Sequence, residues 1–164
     1  MAKKTEFLSK EEKYDNITQK LDKLYSPSLS RCANICQVLS VLKYDMQLFW
    51  VGIYEMVDKN TLKLDAFQGE IACTEIKIGE GACGTAAKNQ EVVNLKDVNQ
   101  IENYIACHQE TMSEIVIPGI HNGETLFVLD IDSEKPAYFE SIDEKYLQQI
   151  TEHLVKIFVD YGRN

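Results

Sequence analysis

The feature that most limits this chain is a succession of short extended segments between Leu48 and Asp132, bracketed at both ends by helical periodicity. Residues 48–57 are rich in aromatic and β-branched side chains and read as a strand. Asp58-Lys59-Asn60 is a turn, and residues 62–68 form a second strand. Shorter extended pieces follow at 76–79 and 91–95, with a short helix over 83–88 between them. Residues 114–120 and 124–132 make a hairpin around Asn122-Gly123. Short connections between consecutive strands favour antiparallel pairing.

The flanks supply the helices. Ser9 and Glu12 have capping-box spacing, and Tyr14, Ile17, Leu21 and Leu24 recur at helical steps up to Ser26-Pro27-Ser28. A second helix over 29–43 places Leu29, Cys32, Cys36 and Leu39 on one face. The last helix, 141–161, carries the stripe Leu147, Ile150, Leu154 and Ile157. The expected fold is α+β: an antiparallel sheet of about six strands with the N- and C-terminal helices packed on one face. Residues 1–164 make a single domain, with helices over 1–46, sheet and pocket over 47–135, and the closing helix over 140–161. The terminal helices could also pair two chains into a homodimer.

Charge narrows the partners. With 26 acidic and 17 basic side chains the net charge is −9, which argues against nucleic acid and against an anionic membrane surface. The longest near-unbroken apolar run, residues 48–54, falls far short of the ~20 residues a membrane helix needs. The opening Met-Ala-Lys-Lys-Thr-Glu-Phe leads into charged residues rather than an apolar signal core, so a cytoplasmic protein is expected. In that reducing compartment five cysteines are thiols, ligands or redox catalysts rather than structural bridges.

The cysteines fall into two groups. Cys32 and Cys36, one helical turn apart, read as core packing, buried and inert. Cys73, Cys83 and Cys107 lie in loops or at segment edges, and three readings stay open for them. They could be buried small hydrophobes, or zinc ligands, although their gaps lack the tight Cys-x-x-Cys spacing. They could also be redox thiols, which need an accessible thiolate and a second thiol within reach. Cys83 follows Gly79-Glu80-Gly81-Ala82 and opens a helix, whose N–H groups favour a thiolate. Cys107 sits beside His108, whose charged form would do the same.

Carboxylates give a second clue. Asp130 and Asp132 are two apart on a strand, so both point to one face, which Leu126 and Val128 would share. Glu114 joins them only in one register. A two-residue Asn122-Gly123 turn sets it opposite Ile131, on the wrong face; a three-residue loop ending at Gly123 sets it opposite Asp130.

Several stretches resemble the free methionine-(R)-sulfoxide reductases, a family built on a single GAF domain. They are Trp50-Val-Gly-Ile-Tyr54, Phe67-Gln-Gly-Glu-Ile-Ala-Cys73, Gly79-Glu-Gly-Ala-Cys83-Gly-Thr-Ala-Ala87, Ile105-Ala-Cys107, Ser113-Glu-Ile-Val-Ile-Pro118 and Val128-Leu-Asp-Ile-Asp-Ser133. The resemblance implies a GAF-like sheet with a closed pocket in front. It implies Cys107 as attacking nucleophile, with Cys83 and Cys73 as redox partners, and leaves open which of the two closes the first disulfide. It further implies Glu114, Asp130 and Asp132 as pocket carboxylates and Trp50 and Tyr54 as pocket aromatics. The reaction would reduce free methionine sulfoxide through a cysteine sulfenic acid and an intramolecular disulfide. Thioredoxin or a similar dithiol would recycle it, with no metal or organic cofactor. The loop over the pocket departs from the family pattern: Ile101-Glu-Asn-Tyr104 stands where Phe-Pro-Gly-His is common, and His108 where Asp is common. The alternative function is a non-catalytic GAF module that senses a small ligand. It would keep the aromatics and have no use for three loop cysteines.

Overall fold

Side-chain caps set the helix ends. In the computed structural model, which describes residues 8–102 and 104–162, Ser9 Oγ accepts the Glu12 N–H at 3.2 Å and Glu12 Oε2 accepts the Ser9 N–H at 2.8 Å. This capping box opens α1, Lys10–Leu24, as its spacing predicts. Ser30 opens α2, Arg31–Asp45, by accepting the Ala33 N–H at 3.2 Å. The C-terminal helix α4, Ser141–Tyr161, starts on Asp143, which accepts the Glu140 N–H at 2.8 Å. The same buried carboxylate takes the Tyr14 hydroxyl at 2.8 Å and Lys10 Nζ at 2.6 Å, which pins α4 to α1. The opening seven residues, read above for a signal core, lie outside the described residues.

Six strands form one sheet: β1 Trp50–Asp58, β2 Thr61–Gln68, β3 Glu75–Lys77, β4 Val93–Leu95, β5 Ser113–His121 and β6 Glu124–Ser133. Their order is β3-β2-β1-β6-β5-β4, and every neighbouring pair runs antiparallel. Alternation along the central strands sends Val51, Ile53, Ile115, Leu129 and Ile131 to one face, where α2 and α4 cover them and α1 packs on those two helices. Trp50, Tyr54, Val116 and Val128 go to the other face, where they meet Ala82, Cys83, Ala86 and Ala87 of α3, Gly81–Asn89. The expected α+β architecture with the terminal helices on one face is present, and α3 forms a second, partial layer. Both faces of the sheet's centre are therefore apolar, which is why β6 reads as a near-continuous hydrophobic run.

Two expectations are corrected. Of the stripe running through its cysteines, helix α2 buries only Leu39; its other buried apolar side chains are Ile35, Val38 and Leu42. Cys32 is exposed, Cys36 half-buried and Leu29 exposed. Three branched side chains on the neighbouring face bury more apolar area than two thiols do, and that difference sets the helix's rotation.

The hairpin also closes differently. His121 pairs with Glu124, so the loop is the two-residue Asn122-Gly123, with both residues at positive φ (51° and 79°) as a type I′ turn requires. Further along, Gly119 pairs with Phe127 and Ile120 with Thr125, which leaves Leu126 as an extra residue in a bulge. The bulge, not a longer loop, supplies the missing step of register. It sets Glu114 opposite Asp132 rather than Asp130, and it turns Leu126 to the helix-covered core, away from Val128.

Candidate active site

The register brings the acids together. Trp50 pairs with Asp132, Gly52 with Asp130 and Tyr54 with Val128, so one sheet face carries aromatics beside carboxylates. Glu114, Asp130 and Asp132 are 5%, 6% and 5% exposed and converge on a cavity of about 20 Å³. That is room for about one water. Cys83, at the start of α3, and Cys107, from the loop above, complete its wall with Tyr104 and Ile105. A cleft of about 610 Å³ shares Gly81 and Ala82 with this cavity. A cleft of about 860 Å³ between β5 and α4 gathers none of these groups.

Burial controls the charge state of the acids. Loss of solvent, and then Asp132 beside it, pushes Asp130 up to about 8. Glu114 is raised well above the ordinary carboxylate range by burial and by both aspartates. Asp132 is raised by burial, opposed by His108, whose Nδ1 lies 3.5 Å from Asp132 Oδ2. His108 in turn is raised by that carboxylate. Three like-charged groups this close cannot all ionise, so the cluster holds protons at neutral pH.

This has a stability consequence. Folded Asp130 keeps a proton that the unfolded chain loses above its ordinary value, so stability falls as pH rises from about 4 towards 8. Asp130→Asn is therefore expected to raise unfolding stability at pH 8 by about 1–3 kcal/mol. The gain should shrink towards pH 4, where both forms are protonated. Urea midpoints at pH 4 and pH 8 check the sign.

Cys73 and Cys107 form a disulfide with Cα atoms 5.4 Å apart. Cys107 lines the acid cavity, whereas Cys73 sits outside it on the β2–β3 connection. Cys83 is free and buried, its thiol pushed well above its ordinary range by burial and then by Asp130. On α2, the Cys32 and Cys36 sulfurs are 3.9 Å apart, and the Cys36 thiol is pushed up to about 11 by burial and by Cys32.

The aromatics act from behind the cavity. Trp50 is fully buried, donates from Nε1 to the Glu70 carbonyl at 3.0 Å and stacks on Phe67 at 5.7 Å. A Cβ on Gly52 would come within 2.3 Å of the Trp50 ring, so only glycine leaves it room there. Tyr54 donates its hydroxyl to the Cys73 carbonyl at 2.9 Å. These two side chains hold the Cys73 connection in place and do not line the cavity. Sequence reasoning marked Tyr104 only as a departure from a motif, yet it lines the acid cavity together with Glu114. His108, which it linked only to Cys107, instead packs between Phe49 at 5.5 Å and Trp50 at 5.8 Å.

Comparison with known proteins agrees with this arrangement. The profile of the GAF domain matches residues 32–158. The chain is 42% identical over 142 residues to GAF domain-containing protein A of Dictyostelium discoideum, covering 87% of this chain and 90% of that protein. It is 34% identical over 160 residues to the free methionine-R-sulfoxide reductase of Escherichia coli, covering 95% and 96%. The X-ray structure of free methionine-R-sulfoxide reductase from Neisseria meningitidis in complex with its substrate superposes with a TM-score of 0.89 at 35% identity, covering 94% and 93%.

Proposed function

This chain belongs to the free methionine-R-sulfoxide reductase family, whose scaffold is the GAF domain, and from that membership we propose that it reduces free L-methionine-(R)-sulfoxide to L-methionine with its own cysteine thiols. One observation carries the reading: Cys107 lies both in the wall of a buried three-carboxylate cavity and within bonding reach of Cys73.

Each group then has a task. A protonated acid of the Glu114–Asp130 pair gives its proton to the sulfoxide oxygen, which makes the sulfur electrophilic. The ionised carboxylate left in the cluster pairs with the substrate's ammonium group. The Cys107 thiolate attacks, methionine leaves, and the oxygen stays on Cys107 as a sulfenic acid. Cys73 condenses with it, forming the disulfide and releasing water. Cys73 suits this role because Tyr54 fixes its carbonyl and it stands outside the substrate cavity. Cys83 keeps a place among the carboxylates, its sulfur within 4.8 Å of oxygens of Glu114 and Asp130.

An external dithiol such as thioredoxin returns two electrons and two protons by exchange at the disulfide. That step suits a cytoplasmic setting. The cavity is closed around about 20 Å³, so the loop carrying Tyr104 and Cys107 must swing out to admit substrate and fold back to exclude water. Reduced protein mixed with free L-methionine-(R)-sulfoxide and no reductant is expected to lose two titratable thiols per chain and release one methionine. A ligand that binds while all five thiols persist would assign the domain to sensing.

A further inference from the structure

The sulfur of Cys83 and carboxylate oxygens of Glu114 and Asp130 all lie within 4.8 Å of one another. The three residues are at least nine-tenths buried. Oδ1 of Asp130 has no hydrogen-bond partner, and neither has Oδ1 of Asp132, which lines the same cavity. The space between them, about 20 Å³, admits a single ion or water and nothing larger. We infer that the closed cavity is a site for a zinc-like divalent cation, bound by the Cys83 thiolate and the Glu114 and Asp130 carboxylates, and that the cation excludes substrate. The competition with substrate rests on the proposed sulfoxide reading; the cation site does not.

The donor set selects the metal class. One thiolate and two carboxylates suit zinc, at about 2.3 Å to sulfur and about 2.0–2.2 Å to oxygen. Magnesium and calcium need about six or more oxygens, which three protein ligands cannot offer in so small a space. Tetrahedral zinc sets its ligand atoms about 3.3–3.8 Å apart. The observed spread, at most 4.8 Å, reaches that range with a contraction of about 1 Å. On binding, the thiol and both acids lose their protons to solvent and their charge is met by the metal. The substrate's ammonium group calls on the same carboxylates, so metal and substrate cannot both occupy them. Cys83 is outside the Cys73–Cys107 disulfide, so the site persists in the oxidised protein.

The test uses cobalt(II) as a spectroscopic stand-in for zinc, added at pH 8 to full-length protein with the Cys73–Cys107 disulfide closed. The expected result is one equivalent bound, with a thiolate-to-cobalt charge-transfer band in the near ultraviolet. Cys83→Ser should abolish the band. Glu114→Gln should keep the band and weaken binding at least tenfold, which guards against misfolding of the cysteine variant. The Cys32→Ser, Cys36→Ser double variant should bind as wild type does. Absence of the band in wild type overturns the inference, as does a band that survives Cys83→Ser or disappears with the α2 pair. In the turnover assay, zinc inhibition should be relieved by excess sulfoxide. An enzyme that turns over without binding cobalt refutes the cation site alone; a cobalt site in a protein without turnover refutes only the sulfoxide reading.

Discussion

Cys107→Ser should lower turnover of free methionine sulfoxide to below about one thousandth of wild type, because a serine hydroxyl offers neither a comparable nucleophile nor a sulfenic acid. Cys73→Ser should behave differently. Cys107 can still attack once, so one methionine per chain appears in a single burst and then stops, with Cys107 left as a trappable sulfenic acid. The asymmetry comes from position: Cys107 lines the acid cavity and Cys73 stands outside it, 5.4 Å away between Cα atoms. Rapid-quench measurement of methionine, with a sulfenic-acid trap and mass analysis, separates the two variants. Equal bursts from both would assign the attack to Cys83. A burst from Cys107→Ser alone would reverse the roles of the pair.

Free substrate should be strongly preferred over the same residue inside a peptide. Glu114, Asp130 and Asp132 are buried, and among the described residues only Asp132 has a cationic side chain beside it, His108, so an ionised carboxylate there gains strongly from the substrate's ammonium group. A peptide bond replaces the ammonium group with a neutral amide. Losing one charge-assisted hydrogen bond costs about 1.5–3 kcal/mol, roughly tenfold to over a hundredfold in kcat/KM. The closed cavity adds a steric barrier, because flanking residues would hold open the loop that carries Tyr104 and Cys107. The ratio of kcat/KM for the free and N-acylated sulfoxides measures the combined effect. A ratio near one would mean that the carboxylates do not read the ammonium group.

Much of this arrangement was legible before any coordinates. Near-continuous apolar runs rich in aromatic and β-branched residues through 48–57 and 124–132 define the sheet, because both faces of a central strand must be covered. The Ser9/Glu12 spacing places the start of α1 because a capping box satisfies two otherwise orphaned N–H groups. Register was harder. Asn122-Gly123 favours a two-residue turn on local grounds, and taken alone it sends Glu114 to the wrong face. Its rescue by a bulge at Leu126 depends on packing across the sheet, where the Phe127 ring lies over Gly119 so closely that a Cβ there would come within 2.4 Å. Cys32 and Cys36 were misplaced because residue spacing gives a helix's stripes but not which stripe wins burial; Ile35, Val38 and Leu42 decide that. The loop from Asp97 to Thr111 lacks periodicity. For that reason the placing of Tyr104 in one cavity wall with Glu114 and of His108 beside Asp132 had no sequence signal beyond the residue types.

The proposed reduction of a free amino-acid sulfoxide by the Cys107–Cys73 pair is tested most directly by following NADPH oxidation by wild-type protein with thioredoxin, thioredoxin reductase and free L-methionine-(R)-sulfoxide. NADPH should be consumed one-for-one with methionine formed, and consumption should cease when Cys107 is alkylated beforehand. If folded, fully reduced protein consumes no NADPH above the thioredoxin background while the sulfoxide still binds, the claim is contradicted and the domain is a ligand-binding module.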